Sequence, residues 1–238
     1  MLIISSAGLG QTALEIIKKV DEMQRGESSY TEMKITTERP RWTRVMEMNA
    51  WSKGDKLALV LITSPAKDKG TVMLKRDKEV WNWIPNIERS IKLPPSMMMQ
   101  SWMGTDFTND DLVRQSSIVE DYSHKITGDT IIEGRNCKKL TLIPNETAPV
   151  VWGQINTWID VEDYLQLKVE FYDEDGYLVN VMNSSNIKEM GGRMMATRME
   201  MIPVEKDGHK TILETREAKF DIPIEEGFFS TQNMRKVK

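Results

Sequence analysis

A single cysteine, Cys137, is all the thiol chemistry the chain has, so no intramolecular disulfide can form and cysteine pairing says nothing about the redox compartment. Its place at the start of an apolar strand predicts a buried, inert thiol. Histidine is nearly as scarce. His124 falls in a predicted strand and His209 in a predicted turn, and neither has sequence neighbours that would make a triad. The chain has no G-x-S-x-G elbow, phosphate-cradling glycine loop, H-E-x-x-H pair or cysteine-histidine metal spacing. No catalytic residue, metal or cofactor is therefore expected, although carboxylates from different strands could still meet in space. Asp173-Glu174-Asp175-Gly176 begins like a calcium loop but lacks the rest of one, and reads as a solvated hairpin turn. Long apolar runs are missing too. The longest, residues 57–62, is strand-sized against the roughly 20 residues a spanning helix needs, so a soluble mature protein is expected. Neither charge sign dominates: 32 Lys+Arg against 36 Asp+Glu, interspersed, leave no footprint for nucleic acid. Without a linker, a low-complexity tract or an internal repeat, the 238 residues read as one sizeable domain.

What the chain does have is methionine (17) and tryptophan (7), and long stretches of period-two patterning. Residues 1–10 carry Leu2-Ile3-Ile4 followed by Ser5, Ser6, Ala7 and Gly8. They look like the tail of a secretory signal peptide without its basic start; a merely frayed N-terminus is the other reading. The domain proper is expected over residues 11–238. Thr12 and Glu15 have capping-box spacing, and Leu14, Ile16, Ile17, Val20 and Met23 form an apolar stripe, which predicts an amphipathic helix over residues 12–24 ending near Gly26. Beyond it the spacing predicts strands at 29–38, 42–52, 56–64, 71–76, 80–84, 89–93, 117–127, 136–143, 151–160, 165–173, 177–190, 193–203 and 210–220. Turns are expected at Gly128-Asp129, Gly134, Gly176, Gly191-Gly192 and Gly208. Eleven to thirteen strands and two or three helices are most simply housed in one strongly curved antiparallel sheet, because curling hides apolar faces and shortens exposed edge. Residues 57–62 are apolar on both faces, so each side must be covered, one by the interior and the other by a helix.

Residues 79–112 organise the rest. Alternation puts Trp81 and Trp83 on one face of a hairpin that turns at Pro85-Asn86, and Pro94-Pro95 then ends the sheet. Ser96 is placed to cap a short helix carrying Met97, Met98, Met99, Trp102 and Met103, apolar around most of its circumference. The polar run Thr105, Asp106, Thr108, Asn109, Asp110, Asp111 closes it. Two readings fit: a movable cover over an apolar cavity, its methionines adapting to an irregular ligand, or an ordinary core helix closing the end of a barrel.

Several of these segments together carry a resemblance. The W-x-W-x-P hairpin at Trp81 to Pro85, the run Ile91 to Leu112, Trp158-Ile159-Asp160 and Glu170-Phe171-Tyr172-Asp173 resemble the outer membrane lipoprotein-sorting proteins, the LolA/LolB-like group, in its uncharacterised periplasmic branch. The likeness extends over nearly the whole chain after Gly10, and S-W-M-G-T-D-F-T-N-D-D at 101–111 is its most specific part. The resemblance implies a mainly β fold, an unclosed β-barrel with an N-terminal helix and short lid helices, around a cavity for acyl chains. It implies a non-enzymatic soluble periplasmic carrier whose lid and cavity lining are Trp81, Trp83, Met97, Met98, Met99, Trp102, Met103 and Phe107. Its partners would be lipoprotein acyl chains or another lipid and an inner-membrane export complex, with only transient membrane contact. A periplasmic sensor or accessory module of an export system is the alternative, and a hydrolase dependent on His124 a third. Two departures stand out. The family's carrier uses an arginine against its lid and none aligns here, Arg89 and Arg114 being only neighbours in sequence. No N-terminal cysteine is available for lipid attachment, which favours the soluble carrier over the anchored acceptor.

Overall fold

Thr12 opens the first helix as its spacing predicts. The Thr12 amide donates to Glu15 Oε2 at 2.7 Å and the Glu15 amide donates back to Thr12 Oγ1 at 3.3 Å, so two donors of the first turn are satisfied reciprocally. This helix, α1 (Ala13–Arg25), turns Ala13, Ile16, Ile17 and Val20 inward. It stops at Gly26, whose φ of 65° suits glycine and where a Cβ would stand 2.7 Å from Asp221 Oδ1. The structure, a computed structural model, describes residues 11–113, 117–146, 148 and 150–237. The expected signal-peptide remnant at 1–10 lies outside the described residues, as does Arg114.

Thirteen strands follow: β1 (Ser28–Arg39), β2 (Trp42–Lys53), β3 (Leu57–Ser64), β4 (Val72–Arg76), β5 (Glu79–Ile84), β6 (Arg89–Lys92), β7 (Tyr122–Ile132), β8 (Arg135–Pro144), β9 (Gln154–Asp160), β10 (Leu165–Tyr172), β11 (Leu178–Met190), β12 (Arg193–Pro203) and β13 (Lys210–Phe220). They form one antiparallel sheet in the order β6-β5-β4-β3-β2-β1-β13-β12-β11-β10-β9-β8-β7. Two meanders, β1 to β6 and β7 to β13, are therefore joined at mid-sheet, where β1 and β13 pair from Ser29↔Phe220 to Glu38↔Lys210. The sheet does not close: β6 and β7 are its two edges. Residues 93–113 lead away from the β6 edge and end in α2 (Asn109–Val113), and residues 117–121, with α3 (Ser117–Glu120), lead into β7 at the other edge. The mainly β, unclosed fold is as expected.

One face of the sheet holds α1 and is the inner face. There Ile16, Ile17 and Val20 pack with Ile35, Met46, Met48 and Val60 from the first meander and Leu140, Ile155, Ile159 and Val169 from the second. Each fully buried side chain of this size contributes roughly 1.5–3 kcal/mol, so α1 ties the two meanders together. On the outer face of β3 and β4, Leu59, Leu61, Val72 and Leu74 form a separate cluster. Its cover is the chain's own C-terminal stretch, with Phe229 and Met234 fully buried in it. A helix was expected there. The helical pieces of the cover are only the short 3-10 turns Glu226–Phe228 and Asn233–Arg235.

Two strand expectations need correction. Residues 117–127 begin as α3 before entering β7, and Gly128-Asp129, expected as a turn, lies inside β7 at a register shift between Ile126 and Gly128. A bulge with glycine mimics a turn signal and moves the following side chains to the opposite face. Residues 151–153 precede β9 rather than belong to it, and a Cβ on Gly153 would meet the Asp173 carbonyl oxygen at 2.4 Å. Cys137 is buried against Leu165 and Leu167, and burial raises its thiol pKa. In the turn after β10, Asp173 Oδ1 accepts the amides of Asp175 (3.1 Å) and Tyr177 (2.8 Å), so the carboxylate that mimics a calcium ligand holds the turn instead. Among the described residues no cluster of three or more His, Cys, Asp or Glu could hold a metal, and no helix is long and apolar enough to cross a membrane.

Candidate functional site

The segment after β6 is a doubled-back loop, not the continuous helix that its apolar residues predict. Two 3-10 turns, Pro95–Met97 and Trp102–Gly104, are all the helix it has before α2. Pro94 occupies the cap position that Ser96 was expected to fill, and Met103 adopts a left-handed φ of 48°. The reason lies in the backbone hydrogen bonds. Trp102 N–H donates to the Phe107 carbonyl (2.8 Å), Asn109 N–H to the Gln100 carbonyl (3.0 Å) and Asp110 N–H to the Met98 carbonyl (3.0 Å), so residues 107–110 return alongside 98–102. The Asn109 side chain adds a donor to the Met97 carbonyl at 2.9 Å. Polar residues read as a helix end are thus the second half of a hairpin-like lid. Thr108 does cap α2: its amide donates to Asp111 Oδ2 (2.7 Å) and the Asp111 amide donates to Thr108 Oγ1 (3.0 Å). Trp152 Nε1 donates to the other Asp111 oxygen at 3.2 Å, while burial pushes that carboxyl's pKa up.

Met98, Trp102 and Phe107 are buried and join the inner-face core, with Met97 and Met103 partly buried against it. Met99 points to solvent, 62% exposed. Trp81 and Trp83 are elsewhere. On β5 they sit opposite Leu74 and Val72 of β4, which in turn sit opposite Leu59 and Leu61 of β3, so strand alternation places both on the outer face. There they pack with Phe229 and Met234 of the C-terminal cover, Arg235 lying 5.4 Å over the Trp83 ring. Their expected place in a cavity lining is overturned by this parity; Asn82 and Ile84, one residue off, face inward.

Between the lid and the inner face of β3, β4 and β5 lies a cavity of about 340 Å³. Val60, Ile62, Met73, Ile84, Leu93, Met97, Trp102 and Met103 supply its apolar wall, and Thr71, Asn82 and Gln100 are among its polar groups. This is within the range of small-ligand pockets. A larger hollow of about 500 Å³ lies beside the β7–β8 turn, with Asp129, Ile131 and Lys138 among its lining.

Two arginines fasten the lid over the cavity. Arg39, at the end of β1, donates from Nη1 to Asp106 Oδ2 (2.9 Å), from Nη2 to Asp106 Oδ1 (3.0 Å) and from Nη2 to the Gly104 carbonyl (3.0 Å). The pair is buried, with side chains 9% and 7% exposed, and Thr211 Oγ1 donates a further bond to Asp106 at 2.7 Å. Arg44 of β2 donates to the Met103 carbonyl (2.9 Å) and to Asp68 (2.7 Å), drawing the β3–β4 loop against the lid.

With the lid, its clamps and the cavity in view, the chain can be set beside known proteins. Residues 54–236 match the model of a family described as uncharacterized protein. The chain belongs to this family. Three solved structures share the fold nearly end to end. A DUF1329 family protein from Desulfovibrio piger is 19% identical, with a TM-score of 0.84 over 93% of this chain and 97% of that one. A Vibrio parahaemolyticus domain described as an outer membrane lipoprotein-sorting protein is 23% identical, with a TM-score of 0.84 over 94% and 98%. A LolA superfamily protein from Nitrosomonas europaea is 23% identical, with a TM-score of 0.80 over 93% and 99%. The fold is LolA-like. No curated protein matches the chain by sequence.

In this LolA-like frame the arginines facing the lid are Arg39 and Arg44, which the sequence concealed. They stand about sixty residues before the segment they bind, and no local period links the two. The one local signal is Arg39-Pro40, which marks the end of a strand and so places Arg39 on the rim. His124, raised as a hydrolase base, bonds through Nε2 to the Ile118 carbonyl of α3 at 2.6 Å and is occupied by the wall.

Proposed function

We propose that the protein is a soluble periplasmic carrier that holds the acyl part of a lipoprotein or another lipid beneath its lid and hands it on toward the outer membrane. One observation carries this reading: a largely apolar cavity remains between the lid and the inner face of β3, β4 and β5. Hydrocarbon entering it leaves water and gains about 0.8 kcal/mol per buried methylene, with no covalent step. Met97, Trp102 and Met103 give the lid side, with Met98 and Phe107 seating the lid on the core; methionine adapts to an irregular tail. Ile84 and Met73 give the sheet side. The cover is seated by Met98, Trp102 and Phe107 and pinned at its rim by Arg39 and Arg44, and no strand of the sheet need unravel for it to open. A partner in the inner membrane, such as an export complex, would supply the cargo.

Titration with a fluorescent fatty-acyl probe tests the reading. Ile84→Trp fills the cavity and abolishes uptake, whereas Trp83→Ala on the outer face of the same strand leaves uptake intact. Unchanged uptake by Ile84→Trp contradicts the proposal.

A further inference from the structure

The cavity is small and has one polar side chain in its sheet wall. Asn82 sits mid-strand in β5, opposite Met73 and Ile91, and lines the cavity. Asparagine is depleted in strands because it adds little to a pleated apolar surface. Three other polar side chains of the lining are engaged, Asn109 on the Met97 carbonyl, Ser101 on the Thr105 carbonyl and Asp68 on Arg44, while Thr71 and Gln100 stand at its loop and lid margins rather than within a strand. Among the described residues no hydrogen-bond partner is found for the Asn82 amide. Once hydrocarbon displaced water from the cavity, that amide would be left with its donors and acceptor unpaired, unless the ligand brought a polar group to it.

Volume and charge narrow the ligand further. About 340 Å³ holds one tail. That is on the order of ten water volumes and near the lower end of the range for small-ligand pockets, a space that favours one tail over two. The one charged residue of the lining is Asp68, and the nearby guanidiniums of Arg39 and Arg44 each face a carboxylate, Asp106 and Asp68, so among the described residues both charges beside the cavity are matched, although Arg44 Nε is buried without a hydrogen-bond partner. An amide offers both a donor and an acceptor, matching a hydroxyl, ester or amide.

We propose that the cavity takes a single-tailed amphiphile with an uncharged polar head, the head bonded by Asn82 and the tail lying between Met73, Ile84, Met97 and Trp102. This rests on the carrier reading and specifies its cargo class. The test is displacement of a fluorescent single-chain acyl probe by monolauroylglycerol, by laurate as its anion and by dilauroylphosphatidylglycerol. Monolauroylglycerol is expected to displace the probe at roughly tenfold lower concentration than laurate, with the two-tailed lipid weakest. Asn82→Leu erases the gap between the first two while the probe still binds. Should that variant fail to fold by circular dichroism, Asn82→Ala decides in its place. Equal displacement by the two-tailed lipid, or a gap that survives loss of the amide, overturns this inference and leaves the carrier reading standing. Failure of the wild-type protein to bind the probe overturns both.

Discussion

Strands β3 to β5 have two faces built from alternate residues of the same eighteen or so positions, and the two are covered in opposite ways. The outer face, with Leu59, Leu61, Leu74, Trp81 and Trp83, is covered by Phe229 and Met234 of the C-terminal stretch, which Arg76 also holds by donating to the Phe229 carbonyl at 2.9 Å. Across the strands, Val60, Ile62, Met73 and Ile84 face a hollow roofed by a lid that Arg39 and Arg44 pin at its rim. The covers differ in what lies beneath them: the outer one meets the strands directly, whereas the inner one, seated by Met98, Trp102 and Phe107, bridges a hollow. A filled face and a hollow one thus lie back to back on one sheet.

The sharpest way to separate the faces is to damage each alone. Phe229→Ala empties a fully buried site on the outer face, and is expected to cost about 4 kcal/mol in chemical denaturation while leaving acyl-probe affinity per folded molecule unchanged. Arg39→Ala leaves Asp106 buried without its cation and should cost about 3 kcal/mol. Its second effect is the telling one: amide exchange at residues 102–107 accelerates, and probe association with it, while the outer cluster keeps its protection. If exchange rises equally on both faces, the lid is not an independent cover. Thr12→Ala removes the cap of the helix that plugs the inner face and costs about 1 kcal/mol, read as a small drop in melting temperature. The smallest effect is a pH dependence at the far end of the lid. Burial raises the Asp111 pKa above its ordinary 3.8, so its contribution to stability is fully present below that value and is lost as pH rises through the folded-state pKa. Melting curves of wild type and Asp111→Asn should therefore shift relative to each other over that window, wild type losing ground as pH rises.

The sheet was legible because its signals are local: period-two runs end at glycine turns, and the thirteen expected strand segments appear with small changes at their ends, apart from β7, displaced by a glycine bulge read as a turn, and β9, which starts three residues late. The helix cap at Thr12 and Glu15 was legible for the same reason. What misled is equally physical. Met97 to Met103 are apolar on every side, and such a run has no period by which to distinguish a helix from a loop whose carbonyls bond to a returning segment. Trp81 and Trp83 were correctly placed on one face, but parity alone does not say which face is inside. That is set by where α1 lies and by the pairing of β3, β4 and β5. Arg39 and Asp106 meet only because β1 is central in the sheet and the lid crosses over it, a long-range fact that no window of sequence contains.

The most direct test of a hollow inner face against a sealed outer one is methyl NMR of the protein labelled at methionine, with a short single-chain acyl ligand added. Shifts confined to Met73, Met97 and Met103, with Met234 unmoved, are the expected result. Shifts at Met234 with none at Met73 and Met97, or no methyl response at saturating ligand, would contradict the account.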